Sequence, residues 1–518
     1  MNNRLSFLAA LSLVASAAMA QETYENTNLV DNDLNGTARY VGMGGAMDAL
    51  GADISTIGTN PAGIGLFRKS HISGSFGVVS QQDVESFSPG HKTNLSFDQI
   101  GFVYAMKSGR KSFLNFAFNY HKSRNFNQIL TASDRLQNAS QNKLTYTKLR
   151  EGLIYEMNSE GLPMEDRAVI TQNQVDNIYY HNFIKNEDGY GYYDATGYDF
   201  NKAMRGYIGE YDFNISGNIN DRIYLGLTVG IHDVHYKGYS EYAEDMAPNV
   251  DNIEWLGVAD EREITGTGYD IKVGAIFRPV EDSPFRIGVS VATPTWYDLT
   301  TSNYTYVTDG NIAPDMGEAY DFKLYTPWKF GLSLGHTVGN YLAIGAGYEY
   351  ADYSSMDTRV IDGEYYDWYG TYDTSSSDKA MNRHTERTLK GVSTVKLGLE
   401  FKPDPALAVR FGYNYVSPMF KKDGFKDGTL ASEGSYYASS TDYVNWESTN
   451  RITCGIGYNV GKLNLDIAYQ YSSQNGEFHP FMDSYGDWPD GESITNYADA
   501  VKVSNKRHQL LFTLGYKF

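Results

Sequence analysis

Leu510-Leu511-Phe512-Thr513-Leu514-Gly515-Tyr516-Lys517-Phe518 closes the chain, and it alternates. At a period of two residues, Leu510, Phe512, Leu514, Tyr516 and Phe518 share one side of a strand, with Leu511, Thr513, Gly515 and Lys517 on the other. The first side is apolar throughout and ends in an aromatic. Exposed to water on an open sheet edge, such a strand would template aggregation. The predicted setting is a closed barrel that turns this side toward lipid.

The N-terminus agrees. Arg4, the apolar stretch Leu5 to Ala17, and Ala18-Met19-Ala20 have the three parts of a secretory signal with an A-x-A cleavage site, so residues 1–20 are predicted to be removed and the mature chain to begin at Gln21. Beyond them no run reaches the roughly 18 apolar residues of a membrane helix, which leaves a barrel as the membrane-spanning option. With 43 Tyr, 25 Phe, 51 Gly and a mean hydropathy of -0.45, the composition suits strands that put every second residue into a polar lumen. A soluble secreted β-protein is the alternative on composition alone. Cys454 is the single cysteine, which excludes internal disulfides and cysteine-based metal sites. The net charge of -20 argues against nucleic acid as a partner. Acidic residues gather in segments read as loops, such as Glu241 to Glu263.

Alternating runs predict an all-β fold of fourteen strands, near residues 70–80, 95–107, 112–122, 207–218, 222–236, 263–278, 285–297, 320–337, 341–354, 388–402, 407–417, 443–460, 462–473 and 501–518. In the fifth, Ile223, Leu225, Leu227, Val229 and Ile231 alternate with Tyr224, Gly226, Thr228, Gly230 and His232. The connections alternate as well: tight turns, such as Ser108-Gly109-Arg110-Lys111 and Val460-Gly461, take turns with long polar loops near 81–94, 123–206, 237–262, 298–319, 355–387, 418–442 and 474–500. Sorting by length in this way is the pattern of an outer-membrane barrel with both termini periplasmic. A soluble sandwich has no reason to sort its loops.

Residues 21–69 hold no predicted strand. They contain Gly36, Gly42, Gly44, Gly45 and Gly51, a helical-looking stretch at Ala46 to Leu50, and then Asn60-Pro61-Ala62-Gly63. A compact glycine-rich piece of this size is predicted to fold back inside the lumen as a hatch.

The stretch from Gly36 through Tyr40-Val41-Gly42-Met43-Gly44-Gly45-Ala46-Met47-Asp48 to Asp53, followed by Asn60-Pro61-Ala62, resembles the N-terminal hatch of the FadL/TodX family. Val409-Arg410-Phe411-Gly412-Tyr413-Asn414-Tyr415 with Ser417-Pro418, and Thr326-Pro327-Trp328-Lys329-Phe330-Gly331-Leu332 entering the eighth strand, resemble its strands. Membership would imply an integral, monomeric protein of a Gram-negative outer membrane, in contact with lipid and lipopolysaccharide, with fourteen strands and a hatch. It would take up long-chain fatty acids or aromatic hydrocarbons by passive diffusion, leaving partly through an opening in the wall. Gly42, Gly44, Gly45, Asn60, Pro61, Ala62 and Gly63 are then the hatch and gating candidates. The terminal Phe518 would be read by the barrel-assembly machinery. The second loop is unusually long and rich in Tyr and Asn, which makes Tyr179, Tyr180, Tyr190, Tyr192 and Tyr193 candidates for ligand capture and suits an amphipathic cargo or a glycan as well as a plain acyl chain.

Other chemistries fit less well. Met47 breaks the G-x-G-x-x-G spacing that a phosphate-binding loop needs after Gly42 and Gly44, and no strand precedes it. His232 and His235, three apart, fall on opposite faces of a strand and are not expected to share a metal or haem. His121 beside Lys122-Ser123, and Asp352 near Ser354, form no catalytic constellation. The expectation is therefore no enzyme, no cofactor and no metal. The competing functional class is a surface receptor or scaffold on the same barrel, its long loops binding a protein, glycan or haem partner.

Overall fold

The computed structural model describes residues 22–156, 169–170, 173–186, 189–247, 254–307, 316–368, 370–430, 432 and 440–518. The predicted signal, 1–20, lies outside the described residues. Fourteen wall strands form one closed antiparallel barrel. They are β1 (His71–Gln81), β2 (Thr93–Lys107), β3 (Phe113–Asn125, continued as Gln128–Ala139), β4 (Ala195–Ile219), β5 (Ile223–Met246), β6 (Trp255–Phe277), β7 (Arg286–Ala292 and Trp296–Val307), β8 (Met316–Tyr325 and Lys329–Val338), β9 (Leu342–Asp352 and Asp357–Asp367), β10 (Gly391–Phe401), β11 (Leu407–Val416), β12 (Tyr443–Val460), β13 (Leu463–His479) and β14 (Val501–Lys517).

The closing strand does what its alternation predicts. β14 pairs with β1 in unbroken register from His71↔Lys517 to Gln81↔Arg507, and the Phe518 amide donates to the Ser70 carbonyl at 3.0 Å. Leu510, Leu514, Tyr516 and Phe518 are exposed on the outside, where Phe512 stacks on Phe76 across the seam at 5.7 Å. Leu511, fully buried, faces inward. Closure matters energetically because in hydrocarbon each unpaired backbone group costs several kcal/mol, roughly, and a closed ladder leaves none at a seam.

The strands run longer than the alternation suggested. β4 has 25 residues and β5 has 24, whereas about 9–11 suffice to cross a bilayer. Their exposed apolar faces, such as Leu225, Leu227 and Val229 on β5, mark the lipid band near the short turns, and their far halves continue beyond it as paired hairpins. Much of the acidic segment Glu241 to Glu263 is therefore strand, not loop, and the second loop shrinks to 140–194. Three neighbouring strands break at the same level: β7 at Thr293-Pro294-Thr295, β8 at Thr326-Pro327-Trp328, and β9 at the 3₁₀ turn Tyr353–Ser355. Proline has no amide for the ladder, so Pro294 and Pro327 interrupt it side by side. Thr326-Pro327 is thus a kink inside the eighth strand.

Candidate functional site

Inside the barrel, the N-terminal segment starts toward the long-loop end with α1 (Thr23–Val30), where Thr23 meets His384 and Tyr24 donates to Asn445, and then fills the end with short turns. There it carries α2 (Ala38–Gly42) and two 3₁₀ turns, Ile54–Gly58 and Pro61–Leu66. Residues 43–50 form successive turns instead of the expected helix. Thr37 caps α2 by accepting the Tyr40 amide at 3.1 Å, and the orphan Ala38 amide donates to Thr513 on the inner face of β14 at 2.7 Å.

The wall receives this segment on glycine. Gly335, Gly345, Gly398 and Gly412, on β8 to β11, are direct cross-strand neighbours in one row. A Cβ on Gly335 would lie 3.1 Å from the Ala49 carbonyl carbon; on Gly345, Gly398 or Gly412 it would collide with the backbone of Ala46, Met43 or Gly44. Of the hatch candidates, Gly42 lies against Gly455, and Gly44 and Gly45 hold φ of +62° and +77°. A Cβ on Gly44 would come within 2.7 Å of the Tyr413 amide nitrogen. Asn60 caps the second 3₁₀ turn by accepting the Ala62 amide, and Ser216 donates to the Pro61 carbonyl at 2.8 Å. Gly63 packs against Thr56. The structure thus places all seven candidates at one end of the lumen, in contact with the wall or with one another.

Ion pairs anchor the same segment. Asp31 and Asp33 accept from Arg124 and Arg507 of β3 and β14 at 2.6 and 2.8 Å, and Arg451 of β12 donates to the Asn32 carbonyl. Arg39 grips Glu400 with two hydrogen bonds, and Glu400 is shared with Arg410. Asp48 faces Lys396 at 3.4 Å.

At the far end, the described residues of 140–194 form a cap with α3 (Gln141–Arg150) and α4 (Gln174–Tyr179). It docks on a hairpin, Ser484–Asp487 with Ser493–Asn496, where Arg150 pairs with Asp490 and Glu492 and stacks on Trp488. Lys148 and Asp176 form a buried ion pair at 2.7 Å. The candidate tyrosines divide here. Tyr179 and Tyr180 are buried in the cap, with Tyr179 donating to Gln141; Tyr192 and Tyr193 are half-buried, and Tyr190 is exposed. The first two are core of the cap and do not present a capture surface, because folding the loop into a domain of its own needed large apolar side chains inside.

Glu244 links cap to barrel. It stands beyond the lipid band, accepts from the Gln141 amide at 2.6 Å and from Tyr242 at 2.7 Å, and its second oxygen has no hydrogen-bond partner among the described residues. Burial pushes its carboxyl up to about 7, against the weaker opposing effect of those two bonds. A raised carboxyl favours the folded cap only while protonated, so cap stability should fall as pH rises from about 4.5 to 7 and level off above, by up to about 3 kcal/mol. Amide-exchange protection of 141–150 at pH 5 and 8, corrected for intrinsic rates, reads this. Glu244→Gln should abolish the difference, and an unchanged difference in that variant counts against it.

Within the lumen, against the hatch, lies a cavity of about 200 Å³. One part of its lining is apolar (Leu29, Val30, Tyr297, Val392, Met419, Phe420, Trp446); the rest is polar, and its charged members are Asp31, Asp33, Glu210, Asp270, Glu349 and Glu447 with Arg124, Lys272, Lys329, Lys396, Arg451 and Arg507. The wall beside it is incomplete. The β2–β3 ladder ends at Gln99↔His121, and beyond the break at Phe126-Asn127 the continuation of β3 pairs with β4 alone. Hatch residue Asn35 bridges this place, donating to Asp98 and to the Lys122 carbonyl at 3.0 Å each.

His232 turns into the lumen and His235 outward, each onto its own carboxylate, Asp270 and Asp233. Asp352 caps the turn that holds Ser354, and His121 faces Glu210 and Asp212. Sequence reasoning missed the glycine row and the arginines facing Asp31 and Asp33. Glycines two or four apart in several strands, such as Gly331 and Gly335 or Gly345 and Gly347, were the available signal, without a register to align them.

The sequence matches no family model, and a search of curated proteins finds no match. Solved structures do resemble it. A Pseudomonas aeruginosa FadL homologue aligns with a TM-score of 0.51 at 12% identity over 94% of this chain and 100% of its own. The Ralstonia pickettii toluene transporter TbuX aligns at 0.46 and 12%, over 94% and 99%, and the Pseudomonas putida toluene transporter TodX at 0.45 and 11%, over 94% and 99%. The closed fourteen-stranded wall, the segment folded within it and the end-to-end match to the first of these agree: the chain has the fold of a FadL-type barrel.

Proposed function

We propose that this protein is an outer-membrane channel for passive, hatch-gated uptake of an amphipathic small molecule. The observation that carries the reading is the cavity above the hatch, lined by both an apolar shelf and charged groups. An apolar chain gains about 25 cal/mol per Å² on leaving water for the shelf, while a polar head group finds partners among the charges. A bare hydrocarbon, the cargo named for TbuX and TodX, would draw nothing from those charges, which are already paired within hatch and wall. Cargo would enter under the cap at the exposed Tyr190 side, wait in the cavity, and leave at the interrupted β2–β3 ladder once Asn35 and its neighbours move. Residues 21–69 act as the gate, with Gly44, Gly45 and the Asn60 to Gly63 turn as its hinges. Mass spectrometry of molecules that co-purify with the barrel, paired with uptake of a fluorescent acyl probe, tests this. A bound amphipath, and uptake that changes when 22–69 is deleted, support it; unchanged uptake of every probe sinks it.

The compact cap favours a second reading, a surface receptor whose loops bind a protein or glycan while the lumen stays shut. A stoichiometric partner pulled from labelled outer membranes, with no lumen ligand, would select it.

Phe518 is proposed as the assembly signal, supported by its exposure at the chain end and its stacking on Tyr516 at 6.2 Å. Phe518→Ser should lower the amount of barrel in the membrane several-fold and leave uptake per folded barrel unchanged. Normal membrane levels with lost uptake would refute it.

A further inference from the structure

Beyond its break at Tyr353–Ser355, β9 runs out of the wall. Its lower part, Leu342–Asp352, already has the 11 residues that cross a bilayer, and its upper part keeps β8 as a neighbour only from Asp357 to Val360. From Ile361 onward it pairs with the return strand Gly370–Ser377, and among the described residues no third strand joins either edge. The result is a free-standing hairpin in water at the long-loop end, where two strands alone are marginally stable. It carries Tyr365, Tyr366, Trp368 and Tyr372, all exposed, with Trp368 at the tip at 96% and Tyr366 at 70%. Tyr365 stands directly opposite Tyr372 on one face, and Tyr366 shares the other with Glu364, to which its hydroxyl donates at 2.6 Å. None of the four rings belongs to a buried cluster of lumen or cap. A contiguous exposed aromatic patch marks an interaction surface, and Tyr and Trp are the residues that anchor one.

Charge selects the occupant. Between Arg359 and Lys379 the chain has no basic residue and five acidic ones, Asp362, Glu364, Asp367, Asp373 and Asp378. Glu364 and Asp373 are directly opposed across the hairpin, an arrangement that destabilises a ladder and that no cation within the hairpin relieves. Arg359, at its base, is held by Asp357 at 2.8 Å and lies over Tyr325. A second copy of this chain, at net charge -20, would add carboxylate to carboxylate, and a phosphate-bearing lipid surface would be repelled as well. A neutral glycan would stack on the rings but leave the repulsion between Glu364 and Asp373 in place. A lysine or arginine side chain does both: its charge sits between the two carboxylates and its cation lies against the Tyr366 ring of the same face. We propose that this hairpin docks a basic, lysine- and arginine-bearing segment of another protein, with Trp368 and the pair Tyr365 and Tyr372 supplying apolar contact. The inference concerns the outside of the barrel and holds whether the lumen conducts or stays shut.

The test uses full-length barrel in detergent and a short fluorescein-labelled repeat of arginine, lysine and glycine, followed by anisotropy at physiological salt. Saturable binding of one peptide per barrel is expected, with amide-exchange protection rising in 361–376 and not in 141–150. Tyr365→Ser, Tyr366→Ser and Trp368→Ser combined keep every charge and should weaken binding at least tenfold. Glu364→Gln with Asp373→Asn should weaken it by a similar factor; this variant relieves the repulsion, so its hairpin stays paired and its loss of binding cannot come from melting. Asp199→Asn with Asp245→Asn removes two exposed carboxylates from the extension of β4 and β5 and should bind like wild type. Heat-modifiable electrophoretic mobility shows that each barrel is folded. No binding to the folded wild type, equal loss in the Asp199 and Asp245 variant, or binding of neutral dextran at the rings in place of the peptide overturns the proposal.

Discussion

Barrels carrying Gly398→Val are expected to conduct ions several-fold better than wild type while remaining inserted and closed. A valine there projects into the Met43 carbonyl, within a row that also seats Ala46 on Gly345 and Gly44 on Gly412. The wall cannot yield, because its backbone on both sides is held in ladder bonds to β9 and β11. The hatch can, being joined to the wall by scattered hydrogen bonds and ion pairs, with no continuous ladder, and by one covalent link at 67–70. Overpacking of this kind costs about 1–3 kcal/mol at one site, so Gly345→Val on top of it should complete the displacement. Single-channel recording reads the opening, and tryptic cleavage at Arg39 and Lys69 reads the loosened hatch. Wild-type conductance with a protected hatch in the double variant would show that the glycine row does not seat it.

A second large effect is expected from Asp33→Ala. Asp33 is pinned by Arg507, by Arg124 at 3.5 Å and by the Asn125 amide at 2.8 Å. Burial alone would raise its carboxyl, but Arg507, Arg124 and Arg451 together draw it down to about 2. Removing it takes a partner from two lumen arginines, Arg507 and Arg124, and breaking a buried pair costs about 3–5 kcal/mol, less here because the groups keep some solvent contact. The 31–35 segment should detach from β3 at neutral pH, speeding exit of cargo by tenfold or more. The sign of the pH effect follows. A depressed carboxyl stabilises the seated hatch fully above its ordinary value near 3.8, and that contribution is lost as pH falls through about 2. Wild-type hatch should therefore stay protected from exchange at pH 5, where Asp33→Ala is already open. Equal protection in the two proteins would show that these ion pairs do not hold the gate.

Much of the fold was legible because strand alternation is local. Leu510 to Phe518 carries its two faces in nine residues, and the wall strands in the structure fall where the alternating runs lie, with their lipid faces as read. Strand ends were not legible, since a hairpin that leaves the bilayer keeps pairing in water without needing an apolar face. Tyr179 and Tyr180 misled for a related reason: a long polar loop reads as open surface until its own helices bury the aromatics.

By itself, then, the sequence determined a barrel, its strand number, its sorted connections and a glycine-rich piece left over for the lumen, because each rests on short-range periodicity and turn chemistry. Only the tertiary structure decided what meets across the wall. His121, Glu210 and His232 are 89 and 22 residues apart in the chain yet adjacent in one row, and Gly335, Gly345, Gly398 and Gly412 line up only once register is set. A shift of one residue would turn every one of these side chains to the opposite face, so register, a property of the closed sheet as a whole, decides which residues share the lumen.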